Sequence, residues 1–134
     1  MLAFFYFLIM HIILASQSPR RQQLIQLLGI PFQVMVANVD EDSIIDPDPI
    51  LNVERTARLK SVKIASQLDA ASSQSAIILA ADTTVAFANE MLNKPANEND
   101  ARQMLQRLRG TQHEVHTGVV LLEPGNNREW HGVS

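Results

Sequence analysis

The sequence predicts an α/β domain built on a twisted mixed sheet flanked by helices, and three observations carry that prediction. Apolar runs of strand length alternate along the chain with segments whose apolar residues recur at helical spacing. Ser18-Pro19, Asp48-Pro49 and Asn97 supply helix starts, while Gly29 and Gly110 supply helix ends. The alternating segments near residues 85 and 115 adjoin turn signals, so antiparallel pairs must accompany any parallel crossover. The chain has 134 residues, 46% hydrophobic and 19% charged, which suits one domain and excludes intrinsic disorder. No cysteine is present, so a disulfide scaffold, a thiolate metal site and a thiol nucleophile are excluded, which is compatible with a reducing compartment without establishing one. Eleven basic residues against 14 acidic ones give a net charge of −3, which argues against a nucleic-acid partner bound through a broad cationic face.

The elements follow in order. Met1 to Met10 is apolar throughout, and Phe4, Phe5, Tyr6 and Phe7 supply four of the seven aromatic residues. A membrane span needs roughly 20 apolar residues, whereas this run stops at Ala15 and is broken by His11. A signal peptide needs a cationic start and a small-residue cleavage site, and neither is there. Residues 1–9 therefore read as an apolar extension or a misassigned start, and residues 10–134 as the domain. His11 to Ala15 is a short buried strand. Ser18 then caps a helix with Pro19 in its first turn, Leu24, Ile25, Leu27 and Leu28 on its apolar face, and Gly29 and Pro31 beyond it.

Phe32 to Val39 reads as a second strand ending in the acidic run Asp40-Glu41-Asp42. Asp48-Pro49 opens a long helix to about Leu68, and Ala70 to Ser75 reads as a polar linker. Ile77 to Ala81 is an apolar strand ending at Asp82-Thr83-Thr84, after which Val85 and Phe87 resume alternation. Asn89-Glu90 is the expected hairpin turn. Asn97 caps a helix carrying Ala101, Met104, Leu105 and Leu108, and Val115, Thr117, Val119 and Leu121 alternate along a last long strand. Trp130 begins a segment beyond the turn over Pro124 to Asn127.

Several residues suggest chemistry. Arg20 and Arg21 stand in the first turn of a helix, against the positive end of its dipole, each at a cost of about 0.3–1 kcal/mol. An anion held by the free N–H groups and the guanidinium forks would reverse that cost, whereas solvated surface arginines are the plain alternative. Lys60 shares helical spacing with Val53, Ala57 and Ile64, so it either snorkels to water or finds a buried partner. Lys94, held before Pro95, can be aimed at a phosphate or simply be solvated. Asp82 at a strand end needs solvent, a metal or a donor, or else caps its own turn. Glu41, with Asp40 and Asp42 nearby, is either part of a solvated acidic loop or joins Asp82 to offer Mg²⁺ the one or two carboxylates it takes beside substrate phosphates. His113 and His116 lie three apart on a strand, hence on opposite faces, which disfavours a metal pair. Ser16 and Ser18 have no His-Asp pattern, and no Walker loop, dinucleotide fingerprint or zinc spacing occurs.

Ile13 to Arg21, Val39-Asp40-Glu41, Ala57 to Lys60, Ala81-Asp82-Thr83, Leu92 to Pro95, and Asp100 through Gly110 to Gly118 together resemble the Maf (septum formation) nucleotide pyrophosphatases. The resemblance spans Met10 to about Leu122. It implies a Maf/ITPase-like fold and metal-dependent hydrolysis of nucleoside triphosphates to monophosphate and pyrophosphate, with Mg²⁺ or Mn²⁺. It further implies Asp82 as proton acceptor and metal ligand, Glu41 as metal-associated carboxylate, and Ser18, Arg21, Lys60 and Lys94 as phosphate ligands. Arg20 and Thr83 match positions tied to base choice. The Ser-Pro-Arg-Arg and Ala-Asp-Thr forms resemble the dTTP/UTP branch, with the 7-methyl-GTP branch as the alternative within the enzyme class. The family implies a cytoplasmic house-cleaning role linked to cell division, and it admits a homodimer. Its members continue through a Lys-Ala-Gly-Ala-Tyr-Gly-Ile-Gln-Gly-like segment that this sequence lacks. The expectation is thus a domain without its C-terminal part, and the competing reading is a nucleotide-binding or regulatory remnant without turnover.

Overall fold

A computed structural model describes residues 10–134, so the extension read over residues 1–9 lies outside the described residues. Strand β1 (His11–Leu14) buries Ile13 and Leu14. Helix α1 (Pro19–Gln26) starts where predicted, with Ser18 Oγ accepting the Arg21 N–H at 3.4 Å. Gly29, at φ +64°, turns the chain into β2 (Phe32–Val34). This strand is shorter than the predicted Phe32–Val39. The Met35 N–H still donates to the Leu14 carbonyl at 3.0 Å, but β1 has ended and β2 is an edge, so no ladder remains for residues 36–39.

A 3₁₀ turn over Glu41–Ser43, capped by Asp40, leads to α2 (Pro49–Gln67), which Asp48 caps by accepting the Ile50 N–H at 2.9 Å. The predicted linker is a short helix, α3 (Ala70–Ser75). Asp69 accepts the Ser72 N–H at 2.7 Å, and Gly125 packs so near that a Cβ there would lie 2.9 Å from the Ser73 carbonyl oxygen. A cap and a packing partner thus outweigh the poor helix propensity of the serines.

Strand β3 (Ala76–Phe87) runs unbroken for 12 residues and turns through Ala88-Asn89 into β4 (Glu90–Leu92). The turn lies one residue earlier than predicted. Ala88 and Asn89 both have positive φ, 50° and 62°, the backbone a two-residue hairpin loop needs to match strand twist. Helix α4 (Glu98–Leu108) is capped by Asn97 as expected and precedes β5 (Glu114–Glu123). Trp130 belongs to a final strand, β6 (Arg128–Val133), where it pairs with Leu121.

The six strands form one mixed sheet in the order β2-β1-β3-β5-β6, with β4 also on β3. β1 is parallel to β2 and β3, and the other pairs are antiparallel. Ile64 of α2 packs in a core with Ile13, Ala76, Ile78, Ala80 and Leu122. Each fully buried Ile or Leu there stabilises by about 1.5–3 kcal/mol. On β5 the buried residues are Gly118, Val120 and Leu122, whereas Val115 and Val119 of the intervening set are exposed. Gly118 is required at its position: a Cβ would meet the Val53 carbonyl carbon at 2.7 Å and the Glu54 nitrogen at 2.8 Å. This close approach seats α2 directly over β5 at the register of Asp82, the residue paired with Gly118.

Candidate active site

The site grows from a gap in the sheet. β1 pairs with β3 as far as Leu79, where the Ala15 N–H donates to the Leu79 carbonyl at 2.9 Å; β4 joins the same edge only at Val85. Residues 80–84 of β3 therefore have no strand on that side. Asp82 does not end a strand, as the sequence suggested, because β5 pairs with β3 as far as Ala86. What ends beside it is β1. A backbone carbonyl without a ladder partner needs another donor. The Ala81 carbonyl accepts from Arg21 Nη1 at 2.9 Å and from Lys60 Nζ at 3.4 Å.

Lys60 does not snorkel. Its side chain is 9% exposed, and Nζ lies 2.9 Å from Glu41 Oε1 and 3.1 Å from Asp82 Oδ1. Two carboxylates and a carbonyl thus occupy all three ammonium donors, which compensates a charge that would be costly to bury alone. At Glu41, burial pushes the pKa upward, but the hydrogen bond and charge of Lys60, with the fields of Lys94 and Arg21, outweigh it and hold the carboxyl below the ordinary range.

Arg21 reaches the same gap from α1. Its Nη2 donates to Thr83 Oγ1 at 3.2 Å, and Thr83 Oγ1 lies 2.9 Å from Thr117 Oγ1 on β5. Ser18, at the helix cap, is itself braced: its N–H donates to the buried Ser16 Oγ at 3.1 Å. Ser16, Ser18, Arg21, Glu41, Lys60 and Lys94 line a cleft of about 470 Å³. Glu41 and Lys94 are shared with a second cleft of about 840 Å³, which Asp82, Thr83 and Thr84 also line. The first lobe is cationic and the second carries the carboxylates. Arg20 is not brought in: it is exposed on α1 and lines neither lobe.

Glu41 and Asp82 converge on one point, now the Lys60 ammonium, and this donor set fits Mg²⁺ or Mn²⁺ in the mode that takes one or two carboxylates and completes its shell with substrate oxygens. Among the described residues no cluster of three or more His, Cys, Asp or Glu converges, so an all-protein cage is not built. Sequence reasoning missed the Ala81 carbonyl, the Ser16 brace and the Thr83–Thr117 pair. The first and last depend on where β1 stops and on strand register, which local spacing does not show, whereas the Ser16 brace is a contact between residues two apart that the Ser-x-Ser spacing could have signalled.

A mixed sheet in which a parallel strand ends beside a helix N-terminus, two lysines, an arginine and paired carboxylates defines an α/β domain whose open edge is chemically suited to an anion. Solved structures share the fold. A dITP/XTP pyrophosphatase from Mycobacterium abscessus superposes with a TM-score of 0.51 at 13% identity, over 93% of this chain and 71% of that one. The Ham1 protein of Staphylococcus aureus gives a TM-score of 0.56 at 17% identity, over 92% and 68%. The family model described as Maf-like protein matches residues 11–134, and the chain belongs to that family. Relatives named dTTP/UTP pyrophosphatase are 44% identical over 117 residues in Syntrophus aciditrophicus and 43% over 117 residues in Salinibacter ruber. Both alignments cover 87% of this chain and 55% of the relative, so the chain spans about half the length of the curated relatives it matches.

Proposed function

We propose that this domain binds a nucleoside triphosphate, dTTP or UTP, and hydrolyses it to the monophosphate and pyrophosphate. The observation that supports this reading best is the convergence of Lys60, Glu41 and Asp82 at the sheet gap, beside the Arg21 and Ser18 end of α1. The triphosphate lies along the cationic lobe. Ser18 hydroxyl, the Arg21 N–H groups not used by Ala81 and Thr83, and Lys94 meet its oxygens. Lys60 exchanges a carboxylate for a phosphate oxygen as substrate enters.

Asp82, released from Lys60, accepts a proton from the attacking water, which forms the new bond to the α-phosphorus as the bond to the bridging oxygen breaks. Pyrophosphate leaves carrying the electrons of that bond, and the cations stabilise the charge that builds on it. Glu41 and Asp82 would hold Mg²⁺ or Mn²⁺, which would supply charge neutralisation at the phosphate oxygens. Thr83, which lines the carboxylate lobe, selects the base, and the dTTP/UTP choice rests on the relatives' names. A cytoplasmic house-cleaning role linked to cell division completes this reading.

A second reading, nucleotide binding without turnover, is favoured by the Lys60 ammonium that occupies both carboxylates. Incubation of the purified chain with dTTP, UTP, ATP, GTP and 7-methyl-GTP in Mg²⁺ or Mn²⁺, with pyrophosphate measured, separates the two. Selective pyrophosphate release from dTTP and UTP is the expected result. Thermal stabilisation by nucleotide with no pyrophosphate released favours the second reading, and neither effect contradicts both.

A further inference from the structure

We infer that Thr117 is a positioning residue for the anion site: it holds the Thr83 hydroxyl, and through it the Arg21 guanidinium, in the orientation that faces a bound polyphosphate. The inference rests on the phosphate-binding reading above, but concerns a residue outside that set. Thr83 and Thr117 are directly paired on β3 and β5. The Thr117 backbone N–H and carbonyl both bond Ser134 on the opposite side, at 2.9 and 3.0 Å, so the pair with Thr83 belongs to the class without mutual backbone bonds. In that class the side chains stand closest, and a hydroxyl pair forms without distortion. The oxygens lie 2.9 Å apart.

Arg21 has five N–H donors in a planar fork. One on Nη1 goes to the Ala81 carbonyl and one on Nη2 to Thr83 Oγ1, both on β3. The fork is therefore gripped along one edge by the central strand, and its other donors are left for the cleft it lines with Ser18 and Lys94. Ala81 offers a rigid backbone acceptor, whereas Thr83 offers a hydroxyl that rotates. Thr117 removes that freedom. Without it, Thr83 can turn its hydroxyl to solvent, and the fork keeps one anchor in place of two. Holding a donor set before the ligand arrives lowers the ordering cost of binding.

The test uses inorganic triphosphate with Mg²⁺ as the probe, and calorimetric affinity as the readout, on the wild-type chain, T117V, T117S, R21A and the R21A/T117V pair. Loss of one supporting hydrogen bond predicts about three- to tenfold weaker binding in T117V. Near-wild-type affinity is expected in T117S, and no further loss from T117V once Arg21 is gone. The melting temperatures are followed in parallel. Wild-type affinity in T117V, or an equal loss in the R21A background, overturns the inference. Unchanged affinity in R21A overturns the anion site itself and the inference with it, so the two failures are told apart.

Discussion

The two halves of β3 are one strand with two occupations. From Ala76 to Ala81 it is apolar throughout, flanked by β1 as far as Leu79 and by β5 from Ile78, and it buries Ala76, Ile78 and Ala80 beside Ile64 of α2. From Asp82 to Ala86 it keeps β5 without β1, gains β4 only at Val85, and presents Asp82 and Thr83 to a cleft. The backbone does not change at the boundary; its neighbour does. The point where a parallel strand stops converts a core strand into a site, because freed backbone groups and an open edge draw polar side chains from two helices.

Substitutions in each half should separate folding from chemistry. Ile78→Ala in the first half removes a fully buried side chain and should cost about 2–5 kcal/mol by denaturant unfolding. The folded fraction should still bind inorganic triphosphate with wild-type affinity. Gly118→Ala probes the boundary, since its Cβ collides with the α2 backbone at Val53 and Glu54. A cost of about 1–3 kcal/mol is expected, together with weaker triphosphate binding, because α2 carries Lys60. A stability loss with binding intact would show that the seat of α2 does not set the site.

Acid should act on the second half with a defined sign. The Glu41 carboxyl lies below its ordinary value, so its contribution is complete above about pH 4.3 and is lost as pH falls through the lowered folded-state pKa. Glu41→Gln should flatten that part of the stability profile. Asp69 and Glu129, also held low, by the Ser72 N–H and by the Arg58 hydrogen bond, should leave the remaining acid-side slope in place. The smallest effect belongs to the surface. Glu129→Gln, which loosens the exposed Arg58 pair far from the gap, should change stability by less than about 1 kcal/mol and leave triphosphate affinity unchanged.

The sequence made much of the first half legible and less of the second. Period and caps give α1, α2 and α4 nearly residue by residue, because Ser18, Asp48 and Asn97 each accept the predicted helix N–H. Strand ends were less legible. Val36 to Val39 continue the predicted second strand, yet β1 has stopped and nothing is left to pair with them; Asp82 looks terminal, yet β5 continues beside it. Lys60, Glu41 and Asp82 are separable candidates in sequence, and only the fold shows that a single ammonium joins them. Arg20 is the converse case, a neighbour of Arg21 in the motif that the helix turns away from both lobes.

The claim that β3 divides at Asp82 is tested most directly by Asp82→Asn, with pyrophosphate release from dTTP and thermal unfolding measured on the same sample. Asparagine keeps an oxygen for Lys60 but is no base. A loss of about 10²–10⁴-fold in turnover is expected, with stability within about 1 kcal/mol of wild type. Undiminished turnover in a folded Asp82→Asn protein, or a collapse of stability alongside activity, would contradict it.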